Sequence, residues 1–508
     1  LTPHPDVVFY ANCVDFLAHF GLENSSVDYI YPSGTSPYHY FELWFGVGIS
    51  RLFGLNSALS LVLLVYALGN VIIWTGLCAL LSVYKSPRFL DLLVCLLLLF
   101  FSGLAFDVYT QVPFMKYIFV FVRNSLSYSK LFPLYIFTLG SILLFMNSQK
   151  KAAFLCLLCL PIASITTSIG VLSAVMVWAL GVYLWKGNLP YQILGAYLVL
   201  AIGLYSYYKF FTPQINTHVT THFADVVQKM TELGFLKTSF NVFAGATLQF
   251  LLLFCPFLFL IRRSEIRKAI QLPELHLLAL TYLFSLLGWS LLHDKISSTQ
   301  IFANVCVVFF NLAASFLLIR RWATWKGGWQ LFPVFLVLVL GLGIYTSLKE
   351  FRFGYAQSNR YLEKVISNSQ KLNPLGAFVF TEEEYNDNEF GSIANFAIRG
   401  HYLIYSKNRT FPLSISPHSF TLSHDPKLAD IQKGTLENTP FWRYVENQKK
   451  EGAFRSIPES QVQFMKDFQL NYLICSKNAV LPKQIQERIE SEIVDENTGE
   501  RFLFLNGF

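Results

Sequence analysis

The chain has 508 residues, of which 54% are hydrophobic and only 14% charged, with a formal net charge of +7. Soluble domains carry about 25% charged residues, so a wholly water-exposed fold is excluded, and the positive charge is read as a bias of membrane-flanking loops rather than as a nucleic-acid surface. The eight cysteines make no disulfide framework, since Cys78, Cys95, Cys156, Cys159, Cys255 and Cys306 all fall in apolar runs.

The first element is "HPDVVFYANCVDFL", residues 4–17. In a helix over 5–20, Pro5 suits the first turn, and Asp6, Tyr10 and Cys13 stack on one face at i, i+4 and i+7. Asp15 then falls near the opposite face. Asp6 has two open readings: a reactive carboxylate, or a charge that stabilises the helix amino end. The second element is "SPYHYFELWFGVGISRLFG", residues 36–54. Ser36 caps it, Pro37 opens it, and His39, Glu42 and Gly46 make a narrow polar stripe on an otherwise greasy helix expected to lie in the interface plane. Leu1 is not an initiator methionine, and a further span ahead of it is expected.

Apolar stretches near 56–83, 89–107, 129–147, 191–211, 241–261, 275–293, 298–319 and 329–348 each approach the length of a membrane helix. The run 151–186 is too long for one span and breaks at "ITTSIG". The expectation is an all-α bundle of about ten spans. Five short basic loops, at 84–88, 147–151, 185–187, 262–268 and 320–326, fall on one side and make it cytoplasmic. Residues 1–37 and everything after about 350 are then outside. The expected domains are 1–350, a polytopic membrane unit whose outer loop 1–55 carries the two interfacial helices, and 351–508, a small outer α/β unit. In the tail, "GAFVFT", "HYLIYS" and "NYLICS" read as strands. Residues 440–450 and 459–468 read as helices, and "VDENTGERFLFL" as a hairpin turning on Asn497–Gly499.

Ionisable residues are scarce at the span centres and collect at the outer rim: His4, Asp6, Asp15, His39, Glu42, Asp107, Lys116, Arg123, His293, Asp294 and Lys295. Carriers that couple to ions place such groups near mid-membrane. The rim suits chemistry at head-group height.

Residues 4–56 carry a resemblance. An Asp-x-x-x-Tyr segment, a proline-led aromatic helix ending in "LFG" and then a membrane span resemble the first outer loop of the C-type (GT-C fold) membrane glycosyltransferases, among them protein O-mannosyltransferases and the aminoarabinose transferase of lipid A. The resemblance implies an inverting transferase that takes a sugar from a polyprenyl-phosphate donor and passes it to a lipid, glycan or protein acceptor outside the membrane. It implies a multi-pass protein of the bacterial inner membrane with an extracytoplasmic tail and membrane lipids around it. Asp6 would be the general base. Tyr10, His39, Glu42, Lys116, Arg123, His293 and Lys295 would bind substrate, the cations steadying the leaving phosphate. A divalent metal bridging Asp6, Asp107 or His39 to the phosphate is left open, because no ligand spacing demands it and Val7 stands where that group often has a second acid. Two alternatives stay open: a lipid-linked glycan flippase or exporter, and a non-catalytic membrane sensor or assembly protein whose tail binds a partner.

Overall fold

The computed structural model describes residues 5–23, 41–99, 131–165, 167–186, 190–211, 273–292, 298–325, 357–369, 375–379, 409–412 and 440–506, with a few helical positions between 234 and 341. The chain divides into two compact units, each taken by itself below. One holds Leu1–Thr35, Leu43–Leu64 and Arg352–Phe508, the other Ser36–Glu42 and Val65–Phe351.

The expectation of about ten spans is overturned. Among the described residues two helices are long and apolar enough to cross a membrane, Ser57–Ser82 and Val305–Ala323. The apolar stretches Phe89–Leu98, Phe132–Met146, Gly170–Gly181, Tyr191–Tyr207 and His276–Ser290 have 10–17 residues. Phe89–Leu98 and Phe132–Met146, whole helices of 10 and 15 residues, rise ~15–23 Å at ~1.5 Å per residue, short of a hydrocarbon core ~30 Å thick. The run 151–186 breaks near "ITTSIG" as expected: it becomes helices Lys150–Ala163 and Thr167–Lys186, with Pro161 inside the first and extended backbone at Ser164 between them.

In chain order the helices before the tail are α1 (Pro5–Phe20), α2 (Phe41–Phe53), α3 (Ser57–Ser82), α4 (Phe89–Leu98), α5 (Phe132–Met146), α6 (Lys150–Ala163), α7 (Thr167–Lys186), α8 (Tyr191–Phe211), α9 (Pro273–Leu292) and α10 (Ser298–Ala323). Asn56 starts α3, its side chain accepting from the Ala58 N–H at 2.8 Å. The helix presents two different faces. Gly69 and Gly76, two turns apart, let α5 approach so closely that a methyl group on them would stand 2.8 Å from the Phe132 ring and 2.6 Å from Leu139. Val62, Leu63, Leu68, Val71 and Ile72 are exposed, an apolar surface that water does not favour and lipid would. α10 is buried over most of its length, packed on α9, α3 and α5. Within that packing the Asn311 amide donates to the Tyr135 hydroxyl at 3.0 Å, both residues buried.

The tail is a five-stranded sheet between helices. Its order is β2-β1-β3-β5-β4, from β1 (Leu375–Val379), β2 (Arg409–Pro412), β3 (Tyr472–Cys475), β4 (Ile489–Val494) and β5 (Arg501–Leu505). β1 runs parallel to β2 and β3, and β5 antiparallel to β3 and β4. Successive side chains of a strand point to opposite faces. Ala377, Val379, Leu473, Cys475, Leu503 and Leu505 therefore meet α12 (Pro440–Lys450) and α13 (Ile457–Asp467) through Phe441, Val445, Phe464 and Met465. Phe378, Tyr472, Ile474 and Phe502 meet α11 (Asn359–Ser369) through Tyr361, Leu362 and Val365. Ser456 caps α13, accepting from the Glu459 N–H, with Pro458 in its first turn. β2 was not anticipated, and "HYLIYS" at 401–406 lies outside the described residues.

The β4–β5 turn, Asp495–Glu500, is also a clasp. Asp495 accepts from the Ser358 N–H at 2.8 Å, the Thr498 N–H at 2.9 Å and the Thr498 hydroxyl at 2.6 Å. Glu500 accepts from the Tyr361 hydroxyl at 3.0 Å and the Gln357 amide at 3.2 Å. Both carboxylates are buried. Burial alone would raise the Asp495 pKa, but the hydrogen bonds from Thr498 and Ser358 outweigh it and hold the carboxyl below the ordinary range.

Candidate functional site

α1 begins at Pro5 and turns one face inward: Tyr10, Ala11, Cys13, Val14 and Phe16 are all buried. Three ties hold it. Asp15 accepts a hydrogen bond from the hydroxyl of Ser57, the first residue of α3. Arg51 on α2 donates to the Ala18 carbonyl at 2.9 Å. Gly46 on α2 sits so near Val14 and Leu61 that a methyl group there would meet them at 3.0 and 3.1 Å. At the far end Phe20 packs on Phe16 at 4.7 Å and on His19 at 4.5 Å.

Residue 6 stands in the first turn of α1, one turn ahead of Tyr10 and two ahead of Cys13. Tyr10 and Cys13 are on the buried face, so the helical register carries position 6 toward that face. Asp15, expected near the face opposite Asp6, joins α1 to α3.

Glu42 is fully buried. The water-facing stripe expected through His39, Glu42 and Gly46 is therefore corrected, since Glu42 and Gly46 are both buried. α2 exposes Gly48 and, at its end, Arg51, Leu52 and Phe53. A 3.6-residue period reports which side chains share a face, not whether that face meets water or protein. Beside Glu42, the Phe41 ring meets Phe137 edge-on at 5.1 Å and Phe132 at 6.3 Å.

His39, Asp107, Lys116, Arg123, His293, Asp294 and Lys295 lie outside the described residues. Among the described residues no group of three or more His, Cys, Asp or Glu is placed to hold a metal ion. Of the candidates named from sequence, Asp6 and Tyr10 share one helix register, and Glu42 stands on α2. Sequence reasoning missed a polar node around Asp91, whose one local sign is an acid in the first turn of an apolar helix, where it accepts from the Arg88 N–H. It also missed the clasp of Asp495 and Glu500, for which a pair of acids flanking "ENTG" was the available sign.

Compared with known proteins, the chain matches no family model and no curated protein sequence.

Proposed function

We propose that the protein is a membrane glycosyltransferase that moves a sugar from a polyprenyl-phosphate donor to an acceptor hydroxyl outside the membrane, with chemistry resembling that of the C-type membrane glycosyltransferases. The observation that carries this reading is α1: a helix whose first turn holds Asp6 and whose next turns bury Tyr10 and Cys13. A carboxylate one helical turn ahead of the buried Tyr10 is proposed as the proton acceptor. The two membrane-length helices and the exposed apolar face of α3 support a bilayer setting in which a polyprenyl tail dissolves.

In this mechanism the acceptor hydroxyl gives its proton to Asp6 as its oxygen attacks the anomeric carbon. The bond from that carbon to the phosphate oxygen breaks, and the electron pair leaves with the polyprenyl phosphate, inverting the configuration. Lys116, Arg123, His293 and Lys295 are the proposed cations for the growing charge on that phosphate. His39 is proposed to hold the sugar or acceptor; Tyr10 and Glu42, both buried, are assigned no substrate contact.

The test is Asp6→Asn in the full chain, assayed with undecaprenyl phosphate carrying a radiolabelled sugar. Loss of a general base lowers turnover by about 100- to 10,000-fold while donor binding persists. A helix-end charge is worth about 0.3–1 kcal/mol, so near-normal turnover with slightly lower stability would reject the base role. Asp15→Asn is the stability control: it weakens the tie to Ser57 and is expected to leave turnover per folded molecule intact.

A further inference from the structure

Two segments far apart in the chain meet at one end of the helical bundle. Asp91, in the first turn of α4, accepts from the Arg88 N–H at 2.8 Å and closes that helix start. Its other oxygen accepts from the Lys85 ammonium at 2.7 Å and from the Trp322 indole N–H at 2.7 Å. Lys85 also lies 5.4 Å from the centre of the Trp322 ring, which stacks on Trp325 at 5.5 Å. The carboxylate thus joins the segment after α3 to the end of α10, and in doing so it neutralises only Lys85. Arg88 is exposed and Arg320 half-buried, and among the described residues no carboxylate pairs with either.

α4 itself is two-faced. Asp91, Val94, Cys95 and Leu98 are buried, while Phe89, Leu90, Leu93 and Leu96 are exposed, Phe89 at 83%. Positions 89, 93 and 96 recur at i, i+4 and i+7, so the exposed residues form one stripe. Val83, just before the basic segment, is exposed as well. An apolar stripe led by unneutralised guanidinium groups, beside a pair of stacked indoles, has the composition of a surface that meets lipid head groups.

We propose that this end of the bundle seats on a phospholipid leaflet rich in anionic head groups, with Arg88 and Arg320 against the phosphates and the stripe Phe89, Leu90, Leu93 and Leu96 in the acyl region. The partner is the leaflet, not a soluble anion, because the cations are continuous with an exposed apolar face that a free phosphate would leave in water. The Asp91 node holds the two basic segments at one height. The inference is independent of the proposed transferase activity.

The full chain is reconstituted in phosphatidylcholine vesicles doped with spin-labelled phosphatidylglycerol or spin-labelled phosphatidylcholine, and the motionally restricted fraction of each label is compared. The wild type is expected to favour phosphatidylglycerol, less so as salt is raised. The variant R88Q/R320Q is expected to lose that preference by roughly fivefold for each cation removed, and R88K/R320K to keep it. Equal association of the two labels with the wild type overturns the proposal, as does a preference that survives in R88Q/R320Q. A lysine variant that loses it as fully as the glutamine variant overturns it too, since charge would not be what the lipid reads.

Discussion

Replacing Asp495 by Asn tests whether the clasp in the tail carries stability. The carboxylate serves three donors at once, the Ser358 N–H at 2.8 Å, the Thr498 N–H at 2.9 Å and the Thr498 hydroxyl at 2.6 Å. An amide offers one acceptor oxygen and one NH2 donor. Whichever way it turns, the NH2 faces a main-chain N–H, and that buried donor loses its acceptor at about 1–3 kcal/mol. The bonds that survive lose their ionic character, for about 1 kcal/mol more. The expected cost is about 2–4 kcal/mol at neutral pH, or about 5–15 °C in the melting of a unit this size. Hydrogen exchange in the full chain should show the loss first at residues 357–361, which the clasp holds, and then along β5. The effect has a pH signature. Because the folded-state pKa of Asp495 is depressed, its contribution is complete above the unfolded value of about 3.9 and disappears as pH falls through the folded value. The gap between wild type and Asp495→Asn should therefore close in acid. A variant within about 0.5 kcal/mol of wild type at neutral pH, or a gap that does not narrow below about pH 4, would refute the argument.

Gly376→Ala in β1 should destabilise the tail by about 1–3 kcal/mol, because its methyl group would overlap the Tyr472 ring; a denaturant titration matching wild type would count against the packing described. If the tail lies outside, as the basic loops of the sequence lead one to expect, maleimide should label Ser491→Cys in intact cells, and labelling only after lysis would overturn that expectation. The native Cys475 cannot serve, since it is fully buried and burial pushes its thiol pKa up to about 12; in the wild type it should stay unlabelled until the tail unfolds.

What could be read in advance follows the range of each signal. The β4–β5 hairpin and β3 were legible because their marks are local: the Asn497–Gly499 turn, with Gly499 at φ +73°, and a short run of buried residues. β2 was not, since "RTFP" is four residues ending in Pro412 and is a strand only through its parallel pairing with β1. The number of membrane-length helices was misjudged because a hydropathy window registers how apolar a run is and not how long its helix is: 129–147 becomes Phe132–Met146, 15 residues, whereas the break within 151–186 was legible at "ITTSIG". In the candidate site the Asp6–Tyr10 register was legible from Pro5 and helical spacing, whereas the burial of Glu42 was not. Trp322 could not be matched to Asp91 from sequence, since 231 residues separate them.

The sheet order also sets a timetable for synthesis. Ala377 in β1 takes Leu473 in β3 as its parallel neighbour, and β3 takes β5 on its other side. At ~5–20 residues per second, the strand-forming segment around Phe378 waits several seconds for the chain that will cover it. Through that interval its unpaired edge is open to other nascent chains. Slowing translation between that segment and β3 lengthens the wait and should raise the aggregated fraction rather than lower it.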